Sequence, residues 1–343
     1  MERTILHLDL NTFFVSVERL HEPRLNGLPV LIGADSDRGV VASCSYEARA
    51  FGVRSAMPMR MAKQLCPEAI IIRGDSGAYL KKSDEVTDVI REHMPMFEKS
   101  SVDEFYVDLT GTDRFHGSWK LANELRQRIA HETGLPNSIG LSINKTVSKV
   151  ATGEAKHSKG ALQVPYGTEK PFLAPMPIER IPGVGDKTAH LLRSMGVSKI
   201  HALQEVPIDL MQRILVEHGP VLWRKANGID DSPVIAWHER KNISTERTFE
   251  RDTIDVVKLR EWRPYVIVGA FVVGAVFTPP DVISQFMMAV PLWLLYELGI
   301  VLASIIVRPA TDAPGVSDYR PPSDDEMSRE LDRAEQQSGE QKS

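Results

Sequence analysis

Cysteine is scarce in this chain, and so are the features of secreted proteins. Its 343 residues include two cysteines, Cys44 and Cys66, and neither has a partner at metal-ligand spacing or suggests a disulfide framework. The apolar stretch near the N-terminus is too short for a secretory signal peptide, so we expect the polypeptide to begin in the cytosol. No internal repeat occurs at solenoid spacing. The 42% of hydrophobic residues is enough for roughly two or three domains with sizeable cores.

An excess of positive charge is also lacking. Residues 310–343 hold nine acids and four bases, and they account for the whole formal net charge of −5. This acidic, proline-bearing tail is predicted to be disordered. The rest of the chain is neutral overall, which does not argue against nucleic-acid binding, because that depends on a local basic face.

Charge of either sign is rare over residues 265–307. Tyr265–Thr278 is a run of fourteen uncharged residues. As a helix this run would be about 21 Å long, which is short for a bilayer core of about 30 Å. The second run, Val282–Val307, is longer and is interrupted only by Pro291 and Glu297.

Arginines flank this apolar region, with Arg260 and Arg263 before it and Arg308 after it, and the sequence TPPD separates its two runs. Basic flanks favour the cytoplasmic side. We therefore predict a helical membrane hairpin over residues 262–309 with both ends in the cytoplasm. Two buried helices of a soluble domain are the alternative. In a hairpin, Glu297 would be an intramembrane acid and hence a functional candidate.

The remainder of the chain mixes strand and helix patterns. Stretches such as TILHLDL, GVVASCS, EFYVDLTG and SIGLSI predict strands, and SWKLANELRQRIAHETG predicts an amphipathic helix. Their order predicts an α/β or α+β domain over residues 1–165. The proline-rich segment 165–177 is expected to be a linker, and helices with glycine-rich turns follow to about residue 236. NISTERTFERD, residues 242–252, is expected to be one more strand.

The strongest chemical signal is SVDEFYVDLTG, where Asp103 and Glu104 begin a predicted strand, while Asp9 ends another. Two neighbouring strands could bring these carboxylates together, and crowded carboxylates need a cation such as Mg²⁺. Adjacent residues of an ideal strand face opposite ways, so the backbone must bend at this point. Ordinary surface acids at a solvated strand end are the alternative.

Two further motifs suggest phosphate binding. Tyr46 and Arg49 lie three residues apart on one face of a short helix, and a guanidinium suits a triphosphate. IPGVGDKTAHLLRSMG places Gly183 and Gly185 at a tight turn opening a helix, with Lys187 after them, which predicts a helix-hairpin-helix that binds DNA phosphate. A surface ion-pair arginine and a tightly packed helix turn are the alternatives.

A third stretch, NKTVSKVATGEAKHSKG, carries four lysines against a single acid, Glu154. A basic face toward a nucleotide and an ordinary solvated helix face both fit this pattern. The lysines are Lys145, Lys149, Lys156 and Lys159.

Five motifs occur here in the order found in Y-family DNA polymerases, and residues 3–258 resemble that family in its bacterial polymerase IV type. The resemblance implies a palm with fingers over 1–165, a thumb over 166–236 and the start of a largely missing little finger over 237–261. It implies an enzyme that extends primed template DNA with deoxynucleoside triphosphates across damaged bases. The motifs are HLDLNTFFVSVE, SYEARAFGVRSAMP, SVDEFYVDLTG, SKVATGEAK and IPGVGDKTAHLL.

The resemblance also implies roles for individual residues. Two Mg²⁺ ions would be held by Asp9, Asp103 and Glu104 with the backbone carbonyl of Leu10. Phe14 matches the steric gate that excludes a ribose 2′-hydroxyl. Asn11 stands where the family often has an aspartate that is not a metal ligand. The incoming triphosphate and sugar would be contacted by Ser43, Tyr46, Arg49, Lys156 and Phe13.

Residues 262–307 resemble a part of a different family, namely the last two membrane helices of the twin-arginine translocase subunit TatC. That family's first four helices and its signal-peptide site have no counterpart here, so the resemblance does not carry a transport function. The two resemblances together suggest a chimera, with a cytoplasmic polymerase body and membrane association through the hairpin. A contact with a sliding clamp is doubtful, because such motifs lie in or after the little finger. The rival interpretation is a translocase fragment carrying an inactive or weakly DNA-binding polymerase remnant.

Overall fold

The computed structural model describes residues 3–36, 38–112, 117–236, 260–277 and 282–306. The chain divides into two compact units, Met1–Thr248 and Phe249–Ser343. The predicted strand over 242–252, the TPPD turn and the acidic tail lie outside the described residues.

The first unit begins with interleaved strands and helices and ends with a run of short helices. Short 3₁₀ turns occur at Pro23–Leu25 and Ile178–Arg180. The mixed part comprises β1 (Ile5–Leu10), α1 (Phe13–His21), β2 (Val30–Ile32), β3 (Ser43–Cys44), α2 (Tyr46–Ala50), α3 (Met59–Leu65), β4 (Ile70–Ile72), α4 (Ser76–His93), β5 (Phe97–Lys99), β6 (Glu104–Asp108), α5 (Ser118–Thr133), β7 (Asn137–Ser142), α6 (Lys145–Ala155) and β8 (Ala161–Gln163). The helical part comprises α7 (Glu169–Leu173), α8 (Asp186–Ser194), α9 (Ile200–Glu205), α10 (Ile208–Leu215) and α11 (His218–Ala226).

A five-stranded sheet in the order β5-β6-β1-β7-β8 forms the centre of this unit. β1 is antiparallel to β6 and to β7, and the register sets Asp9 opposite Glu104. Side chains of a strand alternate between the two faces of the sheet. Leu6 and Leu8 therefore enter the main core, which also contains residues of α4 and α5. His7 lies on the other face, where it contacts Thr152 of α6.

A smaller sheet of order β3-β2-β4 follows the first helix, with β2 antiparallel to β3 and parallel to β4. Its core includes Leu31, Ala48 and Met59. Cys44 and Cys66 are free and buried in this same core. Both cysteines thus act as small apolar side chains of the packing.

The predicted linker over residues 165–177 is wrong. Part of it is helix α7, and Leu173 is fully buried in the core of the helical region. The side-chain amide of Gln204 ties α7 to α11 by donating to the carbonyl oxygens of Lys170 at 3.0 Å and Ala226 at 2.8 Å. Buried apolar residues and these hydrogen bonds outweigh the prolines that suggested an extended segment.

Helix α4 was not predicted from the sequence pattern. Its N-cap, Asp75, accepts hydrogen bonds from the amides of Gly77 at 2.9 Å and Ala78 at 3.3 Å, which stabilises the first turn. Val86 and Ile90, four residues apart on one face, are fully buried against the main sheet. The helix is therefore a core element of the first unit.

The described part of the second unit is two helices, α12 (Arg263–Phe277) and α13 (Val282–Ile306), which pack against each other. Phe271 and Phe286 meet edge to face with ring centroids 5.0 Å apart. By length and composition alone, one described helix segment, Gln285–Leu302, is long and apolar enough to cross a membrane, and α12 is shorter than that requires. Core helices of soluble proteins pass the same test, so the membrane hairpin stays a prediction.

Glu297, the predicted intramembrane acid, is paired in this unit. Its Oε2 atom lies 2.6 Å from Nη2 of Arg263, so the ion pair joins α12 to α13. A basic flank of the apolar region thus neutralises the acid within it. This pairing gives Glu297 a structural explanation that needs no further partner.

Candidate active site

The three predicted carboxylates lie at one end of the central sheet. Asp9 is in β1 opposite Glu104, the first residue of β6. Asp103 lies in a bend just before β6, where its carbonyl accepts from the amide of Leu10 at 2.9 Å. Ser101 holds this bend, since its Oγ accepts from the amide of Glu104 at 3.1 Å and donates to Asp103 Oδ1 at 2.6 Å. The backbone thus bends at this point, as a site shared by Asp103 and Glu104 would need, but the Glu104 carboxylate is directed at Lys149.

Two lysines of the α6 segment neutralise these acids. Lys156 Nζ lies 2.6 Å from Asp9 Oδ1, and Lys149 Nζ lies 2.6 Å from Glu104 Oε2. Residues seven apart fall on the same side of a helix after about two turns. Sequence reasoning treated Lys149 as part of a face of undecided role, and the structure turns it toward the sheet.

Desolvation makes the charged form of Asp9 unfavourable. Burial raises the pKa of Asp9 to about 6, with the nearby charges of Glu104 and Asp103 acting in the same direction and the Lys156 ammonium opposing them. Burial also lowers the pKa of His7, and the lysines at 149 and 156 add to that effect. A cation near Asp9 therefore stabilises the ionised carboxylate strongly.

The donor set suits a hard divalent cation. Carboxylate oxygens of Asp9, Asp103 and Glu104 and the carbonyl of Leu10 are the ligand types that Mg²⁺ prefers. Within the ranges that the structure describes, no three potential ligand side chains are gathered as a formed metal site. The ion pairs explain this, because the oxygens of Asp9 and Glu104 are directed at separate lysines.

A cavity of about 160 Å³ opens beside these acids. Arg49 of α2 and Ser43 of β3 line this cavity together with Asp9, so an anion in the cavity would meet a guanidinium and a hydroxyl. Glu104 and Tyr46 are predicted site residues that do not line it. Tyr46 instead stacks with Arg49: the guanidinium carbon of Arg49 lies over the Tyr46 ring, 5.2 Å from the ring centroid. The predicted residues that do line the cavity are Asp9, Leu10, Phe13, Phe14, Ser43, Arg49, Asp103 and Lys156.

Two aromatic side chains of α1, Phe13 and Phe14, also line the cavity. Phe13 is 3% exposed, and Phe14 packs against the same core. The Phe14 ring stacks on Tyr79 of α4 at 4.3 Å and 13°, and the Tyr79 hydroxyl donates to Glu18 at 2.6 Å. Tyr79 is thus a supporting residue that sequence reasoning missed, because it belongs to the unpredicted helix.

The predicted DNA-contacting turn lies in the helical part of the first unit. Gly183 has φ of 104°, in the left-handed region that favours glycine. Gly185 is the N-cap of α8, and Lys187 is exposed in its first turn. His218 and Lys225 of α11 contact the carbonyl oxygens of Gly183 at 3.2 Å and Pro182 at 3.0 Å. This turn does not line the cavity beside Asp9.

Three family models match separate parts of the chain. The impB/mucB/samB family matches residues 8–153, and the thumb domain of DNA polymerase-iota matches 179–230. The Sec-independent protein translocase protein (TatC) family matches residues 251–291, a shorter range than the resemblance over 262–307.

Curated relatives agree with the first two matches. DNA polymerase IV of Dehalococcoides mccartyi strain ATCC BAA-2266 is 41% identical over 253 residues, covering 73% of this chain and 65% of the relative. DNA polymerase IV of Halorhodospira halophila is 39% identical over 261 residues, covering 76% of this chain and 73% of the relative. The chain thus spans about 65% of the length of the first of these proteins.

Solved structures show the same likeness. The crystal structure of DinB from Sulfolobus solfataricus has a TM-score of 0.62 and 26% identity, covering 67% of this chain and 69% of that one. The insertion ternary complex of Dbh DNA polymerase gives the same TM-score, identity and coverage. Together with the curated relatives, these matches show that the chain belongs to the Y-family DNA polymerases.

Proposed function

We propose that the chain is a DNA-directed DNA polymerase of the translesion type, adding deoxynucleotides to a primer on template DNA in damage tolerance. The observation that carries the proposal is the cavity that Asp9 and Asp103 line together with Arg49, Ser43 and Lys156. Acids that suit metal ions and cations that suit phosphates face one space. Phosphoryl transfer needs both, because catalysis consists mainly of positioning and charge stabilisation.

Each side chain has a role that its chemistry supports. The Arg49 guanidinium would bind phosphate oxygens with its planar fork, and Lys156 would add a point charge. Ser43 would donate its hydroxyl to the triphosphate, and Tyr46 would support Arg49 from beneath. The aromatic pair of α1 would contact the sugar, with Phe13 beneath it and Phe14 filling the space of a 2′-hydroxyl.

Asp9, Asp103 and Glu104, with the Leu10 carbonyl, would hold two Mg²⁺ ions. When bound, these ions would activate the primer hydroxyl and neutralise the charge of the leaving pyrophosphate. The three carboxylates would keep the primer end and the triphosphate in line. Ser101 would fix the bend that directs Asp103 to this site.

Primed DNA would be held through its phosphates. The turn at Gly183 and Gly185 precedes α8, and free amides at a helix N-terminus favour a phosphate without reading a base. Lys187 would add a positive charge at the same place. We propose the domain boundaries given above, with palm and fingers over 1–165 and the thumb over 166–236.

Primer extension tests this function directly. The full chain, with a primed template, deoxynucleoside triphosphates and Mg²⁺, is expected to lengthen the primer and to continue past a damaged template base. Omitting Mg²⁺ should stop the reaction. DNA binding without extension would indicate the inactive remnant, and neither binding nor extension would favour the translocase-fragment alternative.

A second proposal concerns the C-terminal helices. The TatC family match over 251–291 and the exposed apolar side chains of α13 support association with a membrane through a hairpin, while the polymerase body remains in the cytoplasm. Separating cell membranes from cytosol tests it. Recovery of the full chain from the cytosol alone, without aggregation, would refute the membrane proposal and leave the polymerase proposal standing.

A further inference from the structure

The two lysines that neutralise the active-site acids have different surroundings. Lys156 lines the cavity together with Arg49 and Ser43, and its side chain is 25% exposed. Lys149 does not line the cavity, although it holds Glu104 at the same distance of 2.6 Å at which Lys156 holds Asp9. One ammonium can therefore reach a ligand in the cavity. The other, although its side chain is 36% exposed, does not border that cavity.

Both ammonium groups compete with a divalent cation for the same oxygens. Lys156 is bonded to Oδ1 of Asp9, and Lys149 to Oε2 of Glu104. A metal ion that uses these oxygens must displace the lysines or tolerate their positive charge nearby. The acids are thus satisfied before any ion binds, and the lysines weaken ion binding.

We propose that Lys156 is a positioning residue that couples nucleotide binding to metal binding. Without nucleotide its ammonium neutralises Asp9 and keeps the affinity of the site for divalent ions low. When a triphosphate enters, Lys156 transfers its ion pair from Asp9 to the phosphate oxygens, and Asp9 becomes free to bind an ion. Lys149 keeps its ion pair with Glu104 when the nucleotide binds. It therefore lowers the affinity for divalent ions equally with and without nucleotide. This inference rests on the proposed polymerase function, which places a triphosphate in the cavity.

Such an exchange is reciprocal by thermodynamic linkage. If the nucleotide raises the affinity for the ion by removing Lys156 from Asp9, then the ion raises the affinity for the nucleotide by the same factor. The nucleotide also brings oxygens that bind the ion directly. That direct effect is common to every variant, so a comparison of variants isolates the exchange.

The first experiment measures Mn²⁺ binding to the full chain in detergent, without nucleotide, from the resonance signal of the free ion. Lys156→Met and Lys149→Met should each bind Mn²⁺ about tenfold more tightly than the parent. A charge within hydrogen-bond distance of a carboxylate changes the affinity of that carboxylate for a cation by roughly a factor of ten or more. Lys82→Met is the matched control, since it removes a lysine from an ion pair with Glu85 at 2.5 Å, outside the site. It should bind as the parent does.

The second experiment repeats the titration with a saturating deoxynucleotide analogue that carries an imido bridge and cannot be incorporated. The gain in Mn²⁺ affinity on adding the analogue should be smaller in Lys156→Met than in Lys149→Met. Lys156→Gln should behave as Lys156→Met does, and circular dichroism checks that each variant is folded. An equal gain in the two methionine variants would overturn the exchange, as would unchanged Mn²⁺ affinity in folded Lys156→Met.

Primer extension by the parent distinguishes this inference from the function on which it rests. Suppose that the parent extends primers and that the analogue raises the Mn²⁺ affinity equally in Lys156→Met and Lys149→Met. This result would refute the exchange and leave the proposed polymerase function standing. A parent that fails to extend primers while showing the expected Mn²⁺ pattern would refute the polymerase and support the competition between lysine and metal.

Discussion

The two units of the chain contain similar apolar residues in opposite situations. Leu6 and Leu8 of β1 are 0% exposed, whereas Ile283 and Met287 of α13 are 76% and 75% exposed. The strand is covered on both faces by helices of its own unit. The described helices of the second unit have each other on one side and no other described element of that unit. Apolar composition alone therefore does not tell whether a segment forms a core or a surface for an apolar environment.

The acids of the two units differ in the same way. Asp9 and Glu297 each lie 2.6 Å from a cation, Lys156 and Arg263. Asp9 borders a cavity with further polar groups, so Lys156 can instead pair with a ligand that binds in this cavity. The Glu297 pair joins two apolar helices, and its role is to neutralise both charges there. Of these two half-buried ion pairs, only the one at Asp9 borders a space that a second ligand can enter.

The comparison predicts that catalysis belongs to the first unit alone. Asp103→Ala or Glu104→Ala should reduce primer extension at least about a thousandfold, because metal-assisted charge stabilisation provides several kcal/mol. Both variants should stay folded, since both side chains are partly exposed and lie outside the hydrophobic core. Their membrane partitioning should equal that of the parent.

The matched control for these variants is Asp108→Ala, which removes a carboxylate from the far end of β6. It should extend primers at the parental rate. Near-parental extension by Asp103→Ala or Glu104→Ala at the same Mg²⁺ concentration would contradict the assignment of the metal ligands.

Membrane partitioning should depend on the second unit alone. Leu294 is 54% exposed near the middle of α13, and an arginine at the centre of a spanning helix costs about 3 kcal/mol. Leu294→Arg should therefore reduce partitioning of the full chain into vesicles about a hundredfold. Flotation with vesicles measures it, with Leu294→Met as the control. Equal flotation of both variants would show that α13 does not enter the bilayer.

Sugar selection sharpens the comparison within the first unit. Phe14→Ala removes the ring that would meet a 2′-hydroxyl, so the ratio of ribonucleotide to deoxynucleotide incorporation should rise at least about tenfold, the scale of shape discrimination in a pocket. Phe51→Ala, which removes a ring that is 46% exposed, is the control. An unchanged ratio in folded Phe14→Ala would show that another residue excludes ribonucleotides.

The smallest expected effect concerns the capping of α6. Asp230 Oδ2 accepts from the amide of Thr146 at 3.0 Å and from its hydroxyl at 2.7 Å. Asp230→Ala should lower the free energy of unfolding by about 1 kcal/mol at neutral pH. Urea unfolding of the parent and the variant measures the difference. Asp88→Ala, which removes an exposed carboxylate from a surface ion pair with Arg91, is the control.

This effect should depend on pH with a defined sign. Burial opposes ionisation of Asp230, but hydrogen bonds from Ser232 and Thr146 lower its pKa below the ordinary value. A depressed folded pKa gives stability that is fully present above the unfolded pKa of about 3.9 and is lost as pH falls through the folded pKa. The difference between parent and variant should therefore shrink only below about pH 4. A difference that is constant at lower pH would contradict the hydrogen-bonded carboxylate.

Much of the first unit could be predicted from local pattern. β1, β6 and β7 follow from short apolar or alternating stretches, and α5 and α6 from amphipathic spacing. The linker over 165–177 was wrong and α4 was missed, because prolines and a weakly patterned surface say little about contacts made with distant helices. Tyr79 was missed for the same reason. The exposure of α12 and α13 could not be predicted, since a helix in a protein core and a helix in a membrane can have the same apolar sequence pattern.

The sequence alone determined which chemical groups this protein has and where its backbone must turn. Two adjacent acids at a strand start need a bend if both are to face one site, and the backbone bends at 101–103, where the Ser101 hydroxyl holds it. Only the tertiary structure decided which lysine meets which acid. The spacing of lysines along α6 is the same whether that face of the helix meets solvent or packs on a sheet. Packing of α6 on β1 and β7 turned Lys156 to Asp9 and Lys149 to Glu104, because unpaired carboxylates there would be left desolvated without a counter-charge.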